Sequence, residues 1–245
     1  MSTQTNTALI TGSSSGIGLD IARAFLDRGS NVVLNGRSPE RLKAATEKLG
    51  HPERVAEVLG SIADRNTGEA MVRAAVERFG SVDVLVNNAG TFGAKPFVDV
   101  TEEDLDGYLD GNLKGTYLTT QAVVRQMQKE GGGAIVNIGT VLVDHAMAGL
   151  PASAALVSKG GIHALTVSLA AELAADNIRV NAVAPGVIRT PIYGEADVDS
   201  FGGAALLNRV GEVNETTDAV LYLATANFTT GHILRVDGGY VTGRP

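Results

Sequence analysis

Short runs of β-branched and apolar residues alternate along the chain with longer stretches in which apolar positions recur every three or four residues. The runs are Thr7–Ile10, Asn31–Leu34, Val55–Leu59, Val82–Val86, Ala134–Ile138, Ile178–Val183 and His232–Val236. Each has the length and composition of a strand buried on both faces. Helical periodicity fills the gaps at about 16–28, 39–49, 67–79, 101–130, 152–175 and 214–225. Local chemistry supports those boundaries: Ser38 precedes Pro39 as a cap before a first-turn proline, and Thr101 is followed by Asp104 as in a capping box. Gly29, Gly50 and Gly80 stand where helices end. Strands alternating with helices specify an α/β class, a doubly wound, mostly parallel seven-stranded sheet of Rossmann type with helices on both faces. The stretch 187–208 carries Pro191, Gly194, Gly202 and Gly203 with weak periodicity, and reads as a long surface excursion next to a site.

Composition narrows this frame. At 245 residues and 44% hydrophobic, the chain can bury one large core, so residues 1–245 are expected to form a single domain. A net charge of -7, with 20 scattered Lys and Arg, argues against a nucleic-acid partner and for a small-molecule ligand. The absence of cysteine removes disulfides, thiolate metal sites and thiol nucleophiles; no metal site is expected. Residues 1–7 are polar and lack the pattern of a signal peptide, and no uninterrupted apolar stretch reaches the ~20 residues of a membrane span. These features lead to an expectation of a cytoplasmic protein without membrane contact.

The first candidate chemistry follows the first strand directly. Gly12-Ser13-Ser14-Ser15-Gly16-Ile17-Gly18 joins that strand to a helix with no spacer. A helix N-terminus offers free N–H groups and partial positive charge, and glycines let a pyrophosphate approach the backbone. The turn is therefore read as a dinucleotide cradle, with Gly12, Ser14, Ser15, Gly16, Ile17 and Gly18 as its contacts. Its spacing is Gly-x-x-x-Gly-x-Gly, unlike the commoner Gly-x-Gly-x-x-Gly.

That spacing resembles the short-chain dehydrogenase/reductase family, and four later motifs occur in the matching order. They are Asn87-Asn88-Ala89-Gly90, Asn112 within Gly111–Gly115, Asn181–Gly186 with Ile188, Thr190 and Pro191, and Thr230-Gly231 with Asp237-Gly238-Gly239. The resemblance implies strand order 3-2-1-4-5-6-7 and NAD(P)(H) bound across the C-terminal strand ends, in contact with Asn88, Ala89, Gly90, Pro185, Gly186, Ile188 and Thr190. It also implies a homotetramer or homodimer, a carbonyl or alcohol substrate, and Asn112 as an active-site asparagine. Where NAD-preferring relatives carry a carboxylate this chain has Gly36, followed by Arg37 and Ser38. NADP(H) is favoured on that basis, with Arg37, Ser38 and Asn35 as groups for the 2'-phosphate, while NAD(H) stays open. Ser61 stands where relatives place an adenine-binding aspartate.

One family position is not matched. The resemblance implies a Tyr-x-x-x-Lys pair on one helical face. Lys159 supplies the lysine and would contact the cofactor ribose, but Ala155 occupies the tyrosine position. Thr140 replaces the usual serine, and Ala155 lies 15 positions after it, two more than the family spacing, so the loop between them is longer. A methyl group cannot move a proton. His145 beside Asp144, Ser153, Tyr193 and a water held by Asn112 and Lys159 are the alternatives; Ser153 serves only if the helix starts late or the loop folds back, and it is otherwise a cap or helix-start residue. Asn112, Thr140 and Lys159 remain the catalytic candidates. Two readings follow: an NADP(H)-dependent oxidoreductase with an atypical site, or a dinucleotide-binding pseudoenzyme with a structural or sensing role. An artificial Tyr-to-Ala change would leave Thr140 and the longer loop unexplained, so divergence is the simpler account of Ala155.

Overall fold

The structure is a computed structural model that describes residues 6–195 and 197–243. The polar start at residues 1–5 and Ala196 of the excursion lie outside the described residues. Seven parallel strands, β1 (Thr7–Ile10), β2 (Asn31–Gly36), β3 (Val55–Leu59), β4 (Val84–Asn87), β5 (Gly133–Ile138), β6 (Ile178–Pro185) and β7 (Ile233–Val236), form one sheet. Their order is β3-β2-β1-β4-β5-β6-β7. The reversal of direction at β1 and β4 opens a crevice at their C-terminal ends, the place where such sheets bind ligands.

Alternation along the strands fills two cores. Ala8, Ile10, Val32, Leu34, Val84, Val86, Val136 and Ile138 face one side, where Ile21 and Phe25 of α1 (Gly16–Asp27), Leu42 of α2 (Pro39–Leu49) and Val220 of α7 (Val213–Thr225) cover them. Leu9, Val33, Leu85, Ile135 and Val180 face the other, beneath Met71 of α3 (Arg65–Phe79), Val123 and Met127 of α5 (Gly115–Glu130) and Ala170 of α6 (Ser153–Glu172). Fully burying each such side chain contributes roughly 1.5–3 kcal/mol, so both faces hold the sheet and the strand ends stand on a rigid base. α6 is long and apolar enough by composition to cross a bilayer. In this fold it packs along β6 and buries Lys159 and His163 against the sheet.

Both expected caps are present. Ser38 Oγ accepts from Arg41 N, and Thr101 and Asp104 form a reciprocal capping box. The single helix expected over 101–130 is divided into α4 (Glu102–Tyr108), a π-helical segment Leu109–Lys114, and α5. Periodicity cannot reveal this interruption, because it accompanies long-range bonds of one side chain, Asn112. The 187–208 excursion contains short 3-10 turns at Pro191–Tyr193 and Val198–Ala204.

Candidate active site

The turn after β1 is held by its own glycines. Gly12 has φ +62°, and a Cβ there would stand 2.7 Å from Ala89 Cα; a Cβ on Gly18 would stand 2.4 Å from Asn88 Nδ2. Asn88 Nδ2 in turn donates to Thr11 O (2.9 Å) and Gly12 O (3.0 Å), while Asn88 N and Ala89 N both donate to Thr11 Oγ1 at 3.0 Å. The Asn-Asn-Ala-Gly element is thus the strut that shapes the glycine turn. Ser15 is the N-cap of α1, and its side chain makes no capping bond, so it does not satisfy the helix's first amides. Such an end attracts anions. Thr190 Cβ and Pro191 Cδ lie 3.7 Å from where a Gly16 Cβ would be, which brings the excursion over the turn.

Several candidate positions change in meaning. Asn35 is buried, donates from Nδ2 to Val58 O and Gly60 O at 3.1 Å, and accepts weakly from Gly12 N. Both its donors are used, so it is a brace between β2, β3 and the turn and not a phosphate ligand, contrary to expectation. Ser38 accepts from Arg41 N and donates to Glu40 Oε2 at 2.8 Å, so its hydroxyl is occupied as a cap. Arg37 is exposed at the end of β2, and Ser61 is exposed with its Oγ accepting from Ala63 N. Gly186 donates its N–H to Val236 O. The bridge joining Ile188 to Gly211 is made by Val187 O and Arg189 N, which turns the amide and carbonyl of Ile188 away from Gly211.

Asn112, with no exposed surface, accepts from Thr91 N (2.8 Å) and donates to Thr91 O (3.0 Å) and Ser158 Oγ (2.9 Å). Ser158 Oγ in turn donates to Ala155 O at 2.7 Å. Both N–H bonds of Asn112 are spent, so its amide works as a clamp between the loop after Gly90 and α6. Lys159 is 8% exposed and donates from Nζ to Ile138 O at 2.8 Å. Burial pushes its ammonium down to about 8. A Cβ on Gly90 would lie 3.0 Å from Asn112 Oδ1 and 3.2 Å from Lys159 Nζ, so Gly90, Asn112 and Lys159 meet at one point above β4 and β5. Thr140 is half-buried at the end of β5, where its Oγ1 accepts from Leu142 N at 3.3 Å.

Each alternative proton donor has surroundings of its own. His145 packs edge-on against Tyr240 with ring centroids 5.4 Å apart, and its neighbour Asp144 pairs with Arg235 of β7 at 2.8 Å. Tyr193 tilts against Phe201, and burial pushes its phenol up, making it a weaker acid. Ala152 is the N-cap of α6 and Ser153 its first residue. Ser153 is therefore not the cap, and it already lies in helical register roughly 240° around from Lys159. Ala155 is 0% exposed. Near it, Gly93, Lys95, Tyr108, Pro151, Ala152 and Ala154 line a cavity of about 30 Å³, room for a water or two and not for a substrate.

Three relationships were not anticipated: the Asn112–Ser158 bond, the clamp on Thr91, and a buried ladder from Thr120 through Asn87 and Asn137 to Thr166. Polar residues at register-paired positions of two otherwise apolar strands are the signal that could have found the ladder.

Over residues 12–241 the chain matches the family model described as Enoyl-(Acyl carrier protein) reductase. The 3-oxoacyl-[acyl-carrier-protein] reductase FabG of Thermotoga maritima is 38% identical over 240 residues, covering 95% of this chain and 96% of that protein. The chain belongs to the short-chain dehydrogenase/reductase family. A 3alpha-hydroxysteroid dehydrogenase of Mediterraneibacter gnavus is 36% identical, covering 94% of this short-chain dehydrogenase/reductase and 95% of its relative. A crystal structure of a short-chain type dehydrogenase/reductase from Mycobacterium marinum superposes with a TM-score of 0.93 at 30% identity, covering 97% and 96% of the two chains. The family is one of oxidoreductases that use NAD(P)(H), and this member shares its seven-stranded Rossmann sheet.

Proposed function

We propose that this chain is an NADP(H)-dependent carbonyl reductase or alcohol dehydrogenase in which Lys159 takes over the proton chemistry of the absent tyrosine. The observation that carries the reading is the burial of Lys159 beside Asn112 and Gly90, with its proton affinity lowered to about 8. The names of the two relatives share one interconversion, carbonyl with hydroxyl, on unlike molecules. The substrate class proposed is accordingly a carbonyl or alcohol.

The residues fit a dinucleotide. The side-chain-free surface at Gly12, Gly16 and Gly18 and the N-terminus of α1 would take the pyrophosphate, with Ser14, Ser15 and Ile17 around it. Asn88, Ala89 and Gly90 would line the path toward the nicotinamide, and Pro185, Gly186, Ile188 and Thr190 its far side. Gly36 leaves no carboxylate to repel a 2'-phosphate, and exposed Arg37 supports NADP(H) over NAD(H). Ser61 would face the adenine. The cofactor, when bound, supplies or takes the hydride.

The remaining work falls to the chain. Thr140 offers a hydroxyl to the substrate oxygen. Lys159 holds the cofactor ribose and donates or takes a proton at that oxygen through a water on Nζ; its lowered proton affinity makes it a stronger acid than an exposed lysine. Asn112 fixes the loop after Gly90 and the helix that carries Lys159. Exposed Tyr117, Val157 and Val167 on α5 and α6 support self-association as a homotetramer or homodimer. We take the chain as one cytoplasmic domain with no nucleic-acid or membrane partner.

A fully buried Ala155 favours the second reading, a dinucleotide-binding pseudoenzyme. Titration with NADPH and NADH, followed by a panel of ketones, 3-oxoacyl thioesters and alcohols, separates them. Turnover with tighter NADPH binding is expected. Binding without turnover establishes the pseudoenzyme, and tighter NADH binding overturns the cofactor preference.

A further inference from the structure

His163 lies one helical turn beyond Lys159 on α6, so the two side chains stand on one face. It is 6% exposed, and its Nε2 is buried with no hydrogen-bond partner among the described residues. A buried imidazole nitrogen left unsatisfied is costly, and an apolar side chain would fill this space without that cost. The position of Nε2 is specific. A Cβ on Gly139 would stand 2.2 Å from it, so the ring reaches β5 only because residue 139 lacks a side chain. Gly139 adjoins Ile138, whose carbonyl holds Lys159 Nζ at 2.8 Å. An ammonium with three N–H bonds and an imidazole nitrogen without a donor therefore flank the same peptide unit.

We propose that His163 is a positioning residue for Lys159, its Nε2 accepting a second hydrogen bond from the ammonium when Lys159 leans toward cofactor and substrate. The inference rests on the proposed role of Lys159. An accepting Nε2 requires the neutral ring with its proton on Nδ1. The charges felt by His163 are Asp144 from the turn after β5, Lys159 on its own helix and Arg235 on β7. Burial and the two cations hold the ring neutral below its ordinary range, while Asp144 partly offsets them. Protonating Nε2 removes the acceptor and places a second cation beside Lys159. His163 thus supports Lys159 only when neutral and withdraws that support on acidification.

The pair can be tested by 15N NMR of histidine across pH 5–9 in protein saturated with NADP+, where Lys159 is drawn toward the cofactor. His163 is expected to show its own titration below 6.5 and a second inflection near 8, as Lys159 loses its proton, with the second absent in Lys159→Met. No second inflection overturns the pairing whether or not the protein is an enzyme. The kinetic arm uses His163→Gln, which keeps an acceptor that cannot titrate, and His163→Leu, which keeps none. A charged hydrogen bond of this kind is worth about ten- to a hundredfold in rate. His163→Leu is expected to lose about that much kcat, and His163→Gln to retain most of it while losing the acid limb of the pH profile. An acid limb unchanged in His163→Gln overturns the role of His163. Wild-type binding without turnover instead overturns the proposed activity and leaves the NMR result to decide the pairing.

Discussion

Asn112 Nδ2 donates to Ser158 Oγ at 2.9 Å, tying the π-helical segment to α6 one residue before Lys159. The bond crosses between two elements that both border the site, and its other arm grips Thr91. A π segment is an energetically poor turn that commonly marks a functional position. Here the bonds of Asn112 account for its persistence.

Removing either partner should show this coupling. Asn112→Ala strands Thr91 N and Ser158 Oγ and is expected to destabilise the fold by about 1–3 kcal/mol. Ser158→Ala is expected to cost less, since Asn112 keeps Thr91. A double-mutant cycle by urea unfolding should give an interaction energy of at least about 0.5 kcal/mol; strict additivity would show that the bond does no coupling.

The cradle makes a sharper demand at Gly18. A methyl there collides with Asn88 Nδ2 and Gly12 O, at 2.4 and 2.6 Å from its ideal position, so the glycine turn and its strut cannot both stay in place. Gly18→Ala is expected to weaken NADPH binding at least tenfold by calorimetry, with little loss of helix by circular dichroism. Undiminished affinity would place the dinucleotide elsewhere.

Lys159 should affect stability with a definite sign. Its ordinary value is 10.5 and its folded value about 8, so between those values the unfolded chain binds more protons and stability rises with pH. Below about 8 both states are protonated and the full cost of burying the ammonium is present. Lys159→Met removes that cost and the bond to Ile138 O. It is expected to be more stable than wild type by about 1–3 kcal/mol at pH 7, with the gain shrinking toward pH 10.5. Equal stability at both pH values would contradict the burial of a charged lysine.

Ala155 has no exposed surface, which bears on any attempt to place a tyrosine there. Ala155→Tyr forces a phenol into packed space and is expected to destabilise by about 1–3 kcal/mol without raising carbonyl reduction tenfold. A faster and stable variant would show that the 141–152 loop yields and that the site is an ordinary one lacking one group.

Much of this was readable from the residues. Strands such as Val55–Leu59 and the helix Pro39–Leu49 stand where alternation, caps and glycines place them, because those signals act within a few residues. The glycine turn was legible for the same reason. Asn35 was misread as a ligand because its partners, Val58 and Gly60, are fixed only by the pairing of β2 with β3. The π segment escaped because Thr91 and Ser158 are distant in sequence. His163 has the spacing of an ordinary core residue, and its unpartnered nitrogen emerges only once Gly139 lies against it.

The most direct test of the account is the pH dependence of kcat/KM for NADPH-dependent carbonyl reduction by wild type and Lys159→Met. With Lys159 as the proton source, the wild-type rate should hold from the end of its acid limb to about pH 8 and then fall tenfold per unit. Folded Lys159→Met should be slower by about 10²- to 10⁴-fold and lack that limb. The same alkaline limb in both proteins, or a wild-type rate constant through pH 10, would contradict the assignment of the proton to Lys159.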